Sequence, residues 1–82
     1  MVKTPSDPLE PGSIIGILGG GQLGRMTAIA AARLGYRVHV FSPDQSAPAK
    51  EVSNFSTTAS YDDLVRLDEF ARSVDVVTFE FE

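Results

Sequence analysis

The pattern of apolar and polar positions predicts a strand, a helix and a second strand in the first half of the chain. Ile14 to Leu18 is continuously apolar, which is typical of a strand buried on both faces of a parallel sheet. A helix is predicted from about Gln22 to Leu34, with Gly35 placed to end it. Arg37 to Phe41 is the second strand, and Ser42-Pro43-Asp44 turns the chain. This order predicts a right-handed βαβ unit.

The second half repeats this order with a weaker pattern. We predict a loop from Ser46 to Ser53, a short strand from Asn54 to Thr58, a helix from Asp63 to Ser73, and a last strand from Val74 to Phe81. Ser60 or Asp62 is expected to cap this helix. Each helix has a stripe of residues expected to face the sheet: Leu23, Met26, Thr27, Ala30 and Leu34 in the first, and Leu64, Leu67, Phe70 and Ala71 in the second. The small alanines of the first helix are expected to let it lie close to the sheet: Ala28, Ala30, Ala31 and Ala32.

A glycine motif connects the first strand to the first helix. Gly19, Gly21 and Gly24 have the G-x-G-x-x-G spacing, which provides a tight turn, room for a ligand beside the backbone, and close packing of helix on strand. Backbone N–H groups and the positive end of the helix dipole converge on this loop. The motif predicts an anion or polar ligand, although a turn without any ligand has the same spacing.

The end of the last strand places two carboxylates on one face. Val77, Phe79 and Phe81 alternate with a second set of residues, Thr78, Glu80 and Glu82. In doubly wound sheets the carboxyl ends of the strands are where ligands bind, so Glu80 and Glu82 are candidate ligand-binding residues. The alternative is a solvated strand face. Arg25 is either near an anion or solvated, and His39 is more simply a hydrogen-bonded or exposed histidine than a catalytic base.

Composition limits the classes of function. The 82 residues carry a net charge of −4 and contain no cysteine, which argues against nucleic acid as a partner, a disulfide framework and a thiolate metal site. No segment has the length and apolarity of a membrane span, so a cytoplasmic protein with no membrane partner is expected. Residues 1–12 contain three prolines and are predicted to be a disordered tail. Residues 13–82 form one domain, expected to be incomplete at its C-terminus because the last strand has no closing helix.

Four blocks of sequence in register resemble one family of enzymes. The blocks are Ile15 to Met26, Ala31 to Tyr36, Ser42-Pro43-Asp44 with Ala47-Pro48-Ala49, and Asp75 to Glu82. Together they resemble the N-terminal domain of N5-carboxyaminoimidazole ribonucleotide synthases, ATP-grasp ligases of purine biosynthesis. The resemblance implies an α/β, Rossmann-like parallel sheet with helices on both faces, the pre-ATP-grasp domain, in truncated form.

The resemblance also implies ligands and site residues. The expected small-molecule substrates are 5-aminoimidazole ribonucleotide and bicarbonate; ATP and Mg²⁺ would be bound by domains absent from this chain, so the 82 residues alone are predicted to be inactive. The full-length protein is expected to be a homodimer. Substrate binding is assigned to the glycine loop and the strand end, namely Gly20, Gly21, Gln22, Leu23, Glu80 and, as second choice, Glu82. No catalytic residue and no metal ligand is assigned.

Two other interpretations stay open. One is an NAD- or FAD-binding domain of an oxidoreductase, since Asp44 lies near the offset at which such folds place an acid for the ribose. Against it, the end of the second strand is Ser42 rather than an acid. The other is a ligand-free module that packs only on partner domains or on a second copy of the same subunit.

Overall fold

Four parallel strands form one sheet in the computed structural model, which describes residues 10–80. The chain order is β1 (Ile14–Leu18), α1 (Gln22–Arg33), β2 (Arg37–Ser42), a 3₁₀ segment (Pro48–Val52), β3 (Phe55–Thr58), α2 (Leu64–Arg72) and β4 (Val76–Phe79). The strand order in the sheet is β3-β2-β1-β4, and every neighbouring pair is parallel. The predicted Rossmann-like α/β fold is confirmed. From β1 the sheet extends in one direction to β2 and β3, and the chain then returns to place β4 on the other side of β1. The boundary between β1 and β4 is therefore the topological switch point.

The two faces of the sheet have separate cores. On one face, Ile17 and two valines of β2 pack against alanines of α1 and of the 3₁₀ segment; the buried members are Ile17, Ala28, Ala31, Val38, Val40 and Ala49. On the other face, Phe41 packs against Phe70 of α2 and Val74. Alternation along β1 and β2 therefore supplies side chains to both layers, as the continuously apolar strand predicted.

The predicted buried face of α1 is wrong for its larger residues and confirmed for two of the four alanines expected to lie close to the sheet, Ala28 and Ala31. Leu23, Met26 and Leu34 are 47%, 65% and 72% exposed, Ala30 is also exposed, and Thr27 is half-buried. The helix instead buries its small residues, Gly24, Ala28 and Ala31. A Cβ at Gly24 would lie 2.6 Å from the carbonyl oxygen of Gly19, so the helix approaches the glycine loop more closely than a larger side chain would permit.

The start of α2 also differs from the prediction. Neither Ser60 nor Asp62 is the cap, because Asp63 is the N-cap residue and its Oδ1 accepts a hydrogen bond from the Arg66 N–H at 3.1 Å. Ser60 instead accepts from the Asp62 N–H in the preceding turn. Leu64, expected to face the sheet, is 76% exposed. Of the other residues expected there, Phe70 is buried, and Leu67 and Ala71 are half-buried.

The remaining differences concern element boundaries. The predicted loop from Ser46 to Ser53 contains the 3₁₀ segment. The last strand begins at Val76 rather than at Val74, and Val74 is buried in the core just before it. Phe81 and Glu82 lie outside the described residues, as do residues 1–9 of the predicted tail. Residues 10–12 form a turn in which the Gly12 N–H donates to the Gly35 carbonyl at 2.9 Å. Neither helix of the described chain has the length and apolarity needed to cross a membrane.

Candidate functional site

The glycine loop and Glu80 lie side by side at the carboxyl edge of the sheet. β1 pairs with β4 as far as Leu18 and Phe79, and the Glu80 N–H continues the ladder by donating to the Leu18 carbonyl at 2.9 Å. The loop leaves β1 at the same level, where the Gly19 N–H donates to the Phe41 carbonyl at 3.1 Å. The sequence-predicted loop and carboxylate therefore meet at the topological switch point, where ligands bind in folds of this kind.

The glycines of the loop have different structural roles. Gly19 has φ of +123°, a conformation that strongly favours glycine, and this turns the chain from strand to helix. Gly21 is the N-cap of α1 and makes no side-chain cap hydrogen bond, and the first turn of the helix contains no acidic residue. The electropositive helix start therefore suits an anionic or polar group of a ligand. Gln22 is exposed in this first turn, and Leu23 is 47% exposed.

Gly20 lies against the wall of the loop. Its carbonyl accepts a hydrogen bond from the Ala49 N–H at 2.9 Å, and a Cβ added to it would lie 2.5 Å from the Ala47 Cβ and 2.9 Å from the Ser42 Oγ. The absence of a side chain at Gly20 is thus required for packing. Only its backbone is able to serve a ligand.

Glu80 shares a face of the sheet with the start of α1. Thr78 is the partner of Ile17 in the parallel register, and Ile17 packs toward α1; Glu80, two residues after Thr78, is on the same side. The Glu80 side chain is half-buried, and its Oε1 accepts a long hydrogen bond of 3.4 Å from the Thr78 hydroxyl. This leaves acceptor capacity on the carboxylate for a ligand. Glu82 lies outside the described residues, so its placement stays a prediction.

Arg25 is explained by a partner that sequence reasoning missed. Its Nη1 donates to the Pro48 carbonyl at 3.2 Å and to the Glu51 Oε1 at 3.3 Å. A basic residue in the first turn opposes the helix dipole, and Glu51 provides the compensating negative charge from within the chain. The arginine therefore connects α1 to the 3₁₀ segment.

Comparison with known proteins identifies the family. A model of the ribonucleotide synthetase preATP-grasp domain matches residues 13–82. The chain belongs to this family. A preATP-grasp domain with a glycine loop and a carboxylate at its switch point is what the structure contains, in agreement with the sequence resemblance.

The relatives of this preATP-grasp domain are purine biosynthesis proteins. The chain is 58% identical over 74 residues to the bifunctional purine synthesis protein purC/E of Dictyostelium discoideum, covering 90% of the chain and 7% of that protein. It is 54% identical over 74 residues to the N5-carboxyaminoimidazole ribonucleotide synthase of Brucella melitensis, and this match covers 90% of the chain and 20% of that protein. The chain therefore spans a fifth or less of the length of these relatives.

A solved structure adds a ligand complex to the comparison. The N5-carboxyaminoimidazole synthase of Aspergillus clavatus, in complex with ADP and 5-aminoimidazole ribonucleotide, matches with a TM-score of 0.75 and 39% identity, covering 85% of this chain and 19% of that one. This enzyme, to which the preATP-grasp domain is similar, is thus seen with both an adenine nucleotide and the aminoribonucleotide.

The end of β2 argues against a dinucleotide site in this preATP-grasp domain. Ser42, at the position of the expected acid, is 3% exposed, and its Oγ accepts from the Asp44 N–H at 3.1 Å. The Asp44 carboxylate accepts from the Ser46 N–H within the same turn. The Lys50 ammonium donates to both the Ser42 and Asp44 carbonyls. The place where a dinucleotide fold presents an acid to the ribose is occupied by a lysine and a closed turn.

A groove of about 470 Å³ lies away from the glycine loop. It is lined by Ile14, His39, Phe55, Ser56, Thr57 and Ser73, toward the amino ends of the strands. The polar groups of His39 are satisfied within the groove. The Ser73 hydroxyl donates to the Phe70 carbonyl at 2.7 Å, so the His39 Nδ1–H donates to the Ser73 Oγ and Nε2 accepts from the Thr57 hydroxyl. The prediction of a hydrogen-bonded histidine is confirmed.

This arrangement predicts a pH dependence of stability. Burial lowers the pKa of His39 below its ordinary value of 6.5, because desolvation disfavours the charged ring. The neutral ring therefore stabilises the fold fully above the unfolded-state pKa, and this contribution is lost as the pH falls through the lower folded-state pKa. A His39→Gln variant should lose stability less steeply than wild type between about pH 7 and pH 5, measured by thermal unfolding at each pH. Parallel curves for the two proteins would contradict this.

Proposed function

We propose that this chain is the aminoribonucleotide-binding N-terminal part of an ATP-dependent ligase that makes N5-carboxyaminoimidazole ribonucleotide. The observation that carries the proposal is the juxtaposition of the electropositive start of α1 with Glu80 at the β1–β4 switch point. Family membership and the Aspergillus clavatus complex support the choice of 5-aminoimidazole ribonucleotide as the ligand. Bicarbonate is proposed as the second substrate, by resemblance.

The residues of the site suit the chemistry of an aminoribonucleotide. Backbone N–H groups at Gly21 and Gln22 would donate to an anionic or polar edge of the substrate, as helix starts do for phosphate and carboxylate groups. Leu23, the next residue of the helix start, would contact the same edge. The Glu80 carboxylate would accept from an amine or a ribose hydroxyl, in a charge-assisted hydrogen bond. Together these contacts would hold the substrate so that its exocyclic amine reaches an activated carboxyl group supplied by the rest of the enzyme. No general acid or base is assigned in this chain.

ATP and Mg²⁺ are assigned to other domains of the full-length protein. Within residues 10–80, no three or more His, Asp or Glu side chains lie together as a potential metal site. The ammonium of Lys50 is also occupied by oxygens of the chain itself. The assignment of ATP and Mg²⁺ to other domains rests on the resemblance, and the role proposed for the described residues is to bind and orient the ribonucleotide. A homodimeric, cytoplasmic full-length protein belongs to the same proposal and rests on the resemblance.

Substrate-dependent ATP turnover tests this function. The full-length protein should hydrolyse ATP only when both 5-aminoimidazole ribonucleotide and bicarbonate are present, as measured by release of ADP and phosphate and by incorporation of labelled bicarbonate. The purified 82-residue chain should show neither activity, because it lacks the proposed ATP-binding domains. ATP turnover by the 82 residues alone would contradict the assignment of ATP to other domains. ATP turnover by the full-length protein that does not depend on the ribonucleotide would contradict the proposed function.

A further inference from the structure

Lys50 connects the 3₁₀ segment to the ends of two strands through hydrogen bonds. Its Nζ donates to the Ser42 carbonyl at 3.0 Å, to the Asp44 carbonyl at 2.7 Å and to the Thr58 Oγ1 at 2.8 Å. An ammonium has three hydrogens, so these three oxygens use its full donor capacity. The lysine thereby connects the 3₁₀ segment to the carboxyl ends of β2 and β3.

The residue next to Lys50 holds the glycine loop. Ala49 is fully buried, and its N–H donates to the Gly20 carbonyl at 2.9 Å. Because the peptide unit is planar and trans, the Gly20 carbonyl and the Gly21 N–H point in opposite directions. Fixing the carbonyl on the 3₁₀ segment therefore aims the Gly21 N–H away from that segment.

We propose that Lys50 is a positioning residue for the glycine loop. Lys50 holds the 3₁₀ segment in place, and Ala49 of that segment orients the Gly20–Gly21 peptide toward the substrate. This inference rests on the proposed function, since it assigns a purpose to the orientation of that amide. Arg25 makes a second connection, from α1 to the 3₁₀ segment, through the Pro48 carbonyl and an ion pair with Glu51. Lys50 makes three hydrogen bonds and is the residue that connects this segment to the strand ends.

The experiment compares four variants of the full-length protein by steady-state kinetics. Lys50→Met keeps the aliphatic stem and removes all three donors, Lys50→Arg restores donors, and Thr58→Val removes a single acceptor. Arg72→Met is the matched control, because it removes an exposed ion pair with Asp68 on α2. Misplacing the loop amide should raise the KM for 5-aminoimidazole ribonucleotide about tenfold in Lys50→Met and about threefold in Thr58→Val, while the KM for ATP stays near wild type.

Lys50→Arg should recover most of the lost affinity, and Arg72→Met should behave as wild type. A general structural role would instead lower the thermal midpoint and the amount of active enzyme without changing the KM for the ribonucleotide. An unchanged KM for the ribonucleotide would overturn the proposal, and so would an equal rise in the KM values for the ribonucleotide and for ATP. A Lys50→Arg variant as defective as Lys50→Met would overturn it as well. If Lys50→Met does not fold, Thr58→Val decides in the same way. Wild-type protein without ribonucleotide-dependent turnover would instead refute the proposed function and this inference with it.

Discussion

A full-length protein carrying Glu80→Gln is expected to bind 5-aminoimidazole ribonucleotide roughly ten- to a hundredfold more weakly than wild type. The amide keeps the size of the carboxylate but removes its charge, and a charge-assisted hydrogen bond contributes about 1.5–3 kcal/mol. The affinity for ATP should barely change, because the nucleotide is assigned to other domains. Titration of each ligand into the purified variant measures both affinities.

Two further variants make the Glu80 result specific. Glu69→Gln is the matched control, since Glu69 is exposed on α2 in an ion pair with Arg66, away from the switch point. It should leave both affinities unchanged. Glu82→Gln should have a weaker effect than Glu80→Gln. Near-normal affinity of Glu80→Gln for the ribonucleotide would show that Glu80 is an ordinary solvated residue at the strand end. A large loss of this affinity in Glu82→Gln alone would show that Glu82, rather than Glu80, binds the substrate.

Phe70→Ala is expected to have the largest effect on stability, about 3–5 kcal/mol. Phe70 is 2% exposed, and its ring lies 4.9 Å from the His39 ring and 5.3 Å from the Phe41 ring, measured between centroids. Its edge also fills the space above Gly16, where an added Cβ would lie 2.7 Å from the Phe70 Cζ. Truncation would leave a cavity that this rigid strand pair has little freedom to fill.

Amide hydrogen exchange in β1 and β2 of the full-length protein measures this effect within the domain itself. Leu64→Ala, on the same helix, is the control: Leu64 is 76% exposed and should cost less than about 0.5 kcal/mol. Comparable losses of protection in the two variants would contradict the assignment of Phe70, rather than Leu64, to the face of α2 that packs on the sheet.

The parallel sheet and the site at its carboxyl edge followed from features that are local in sequence. A five-residue apolar run, a glycine turn and a strand end with alternating acids each determine their own geometry, and the rules for parallel sheets then bring the loop and Glu80 to one edge. The glycine spacing also predicted the close approach that Gly24 makes to Gly19. Occupancy of the site by a substrate remains a prediction for Gly20, Gly21, Gln22, Leu23, Glu80 and Glu82.

The side-chain faces of the helices were predicted less well, for a physical reason. Hydrophobicity assigns the larger apolar residues of α1, such as Met26 and Leu34, to the core, but close packing on the glycine loop selects the smallest residues. Gly24, Ala28 and Ala31 recur at intervals of four and three residues, and this small-residue stripe is the signal that identifies the buried face. In α2, Asp63 rather than an earlier residue has the geometry to accept from Arg66.

The polar connections of the 3₁₀ segment had no local signal in the sequence. Arg25 is 26 residues from Glu51 along the chain, and the oxygens bound by Lys50 belong to three different positions. Such pairings depend on where the chain returns in space, which neither periodicity nor turn chemistry specifies. They became visible only when β2, β3 and the glycine loop were placed together.

A crystal structure of the full-length protein with 5-aminoimidazole ribonucleotide tests the central claim most directly. We expect the ribonucleotide at the β1–β4 switch point, with one of its polar groups about 2.7–3.2 Å from backbone nitrogens of Gly21 to Leu23 and with a donor group on the Glu80 carboxylate. A ribonucleotide bound elsewhere, for instance in the groove beside His39, with the glycine loop and Glu80 in contact with solvent alone, would contradict the account.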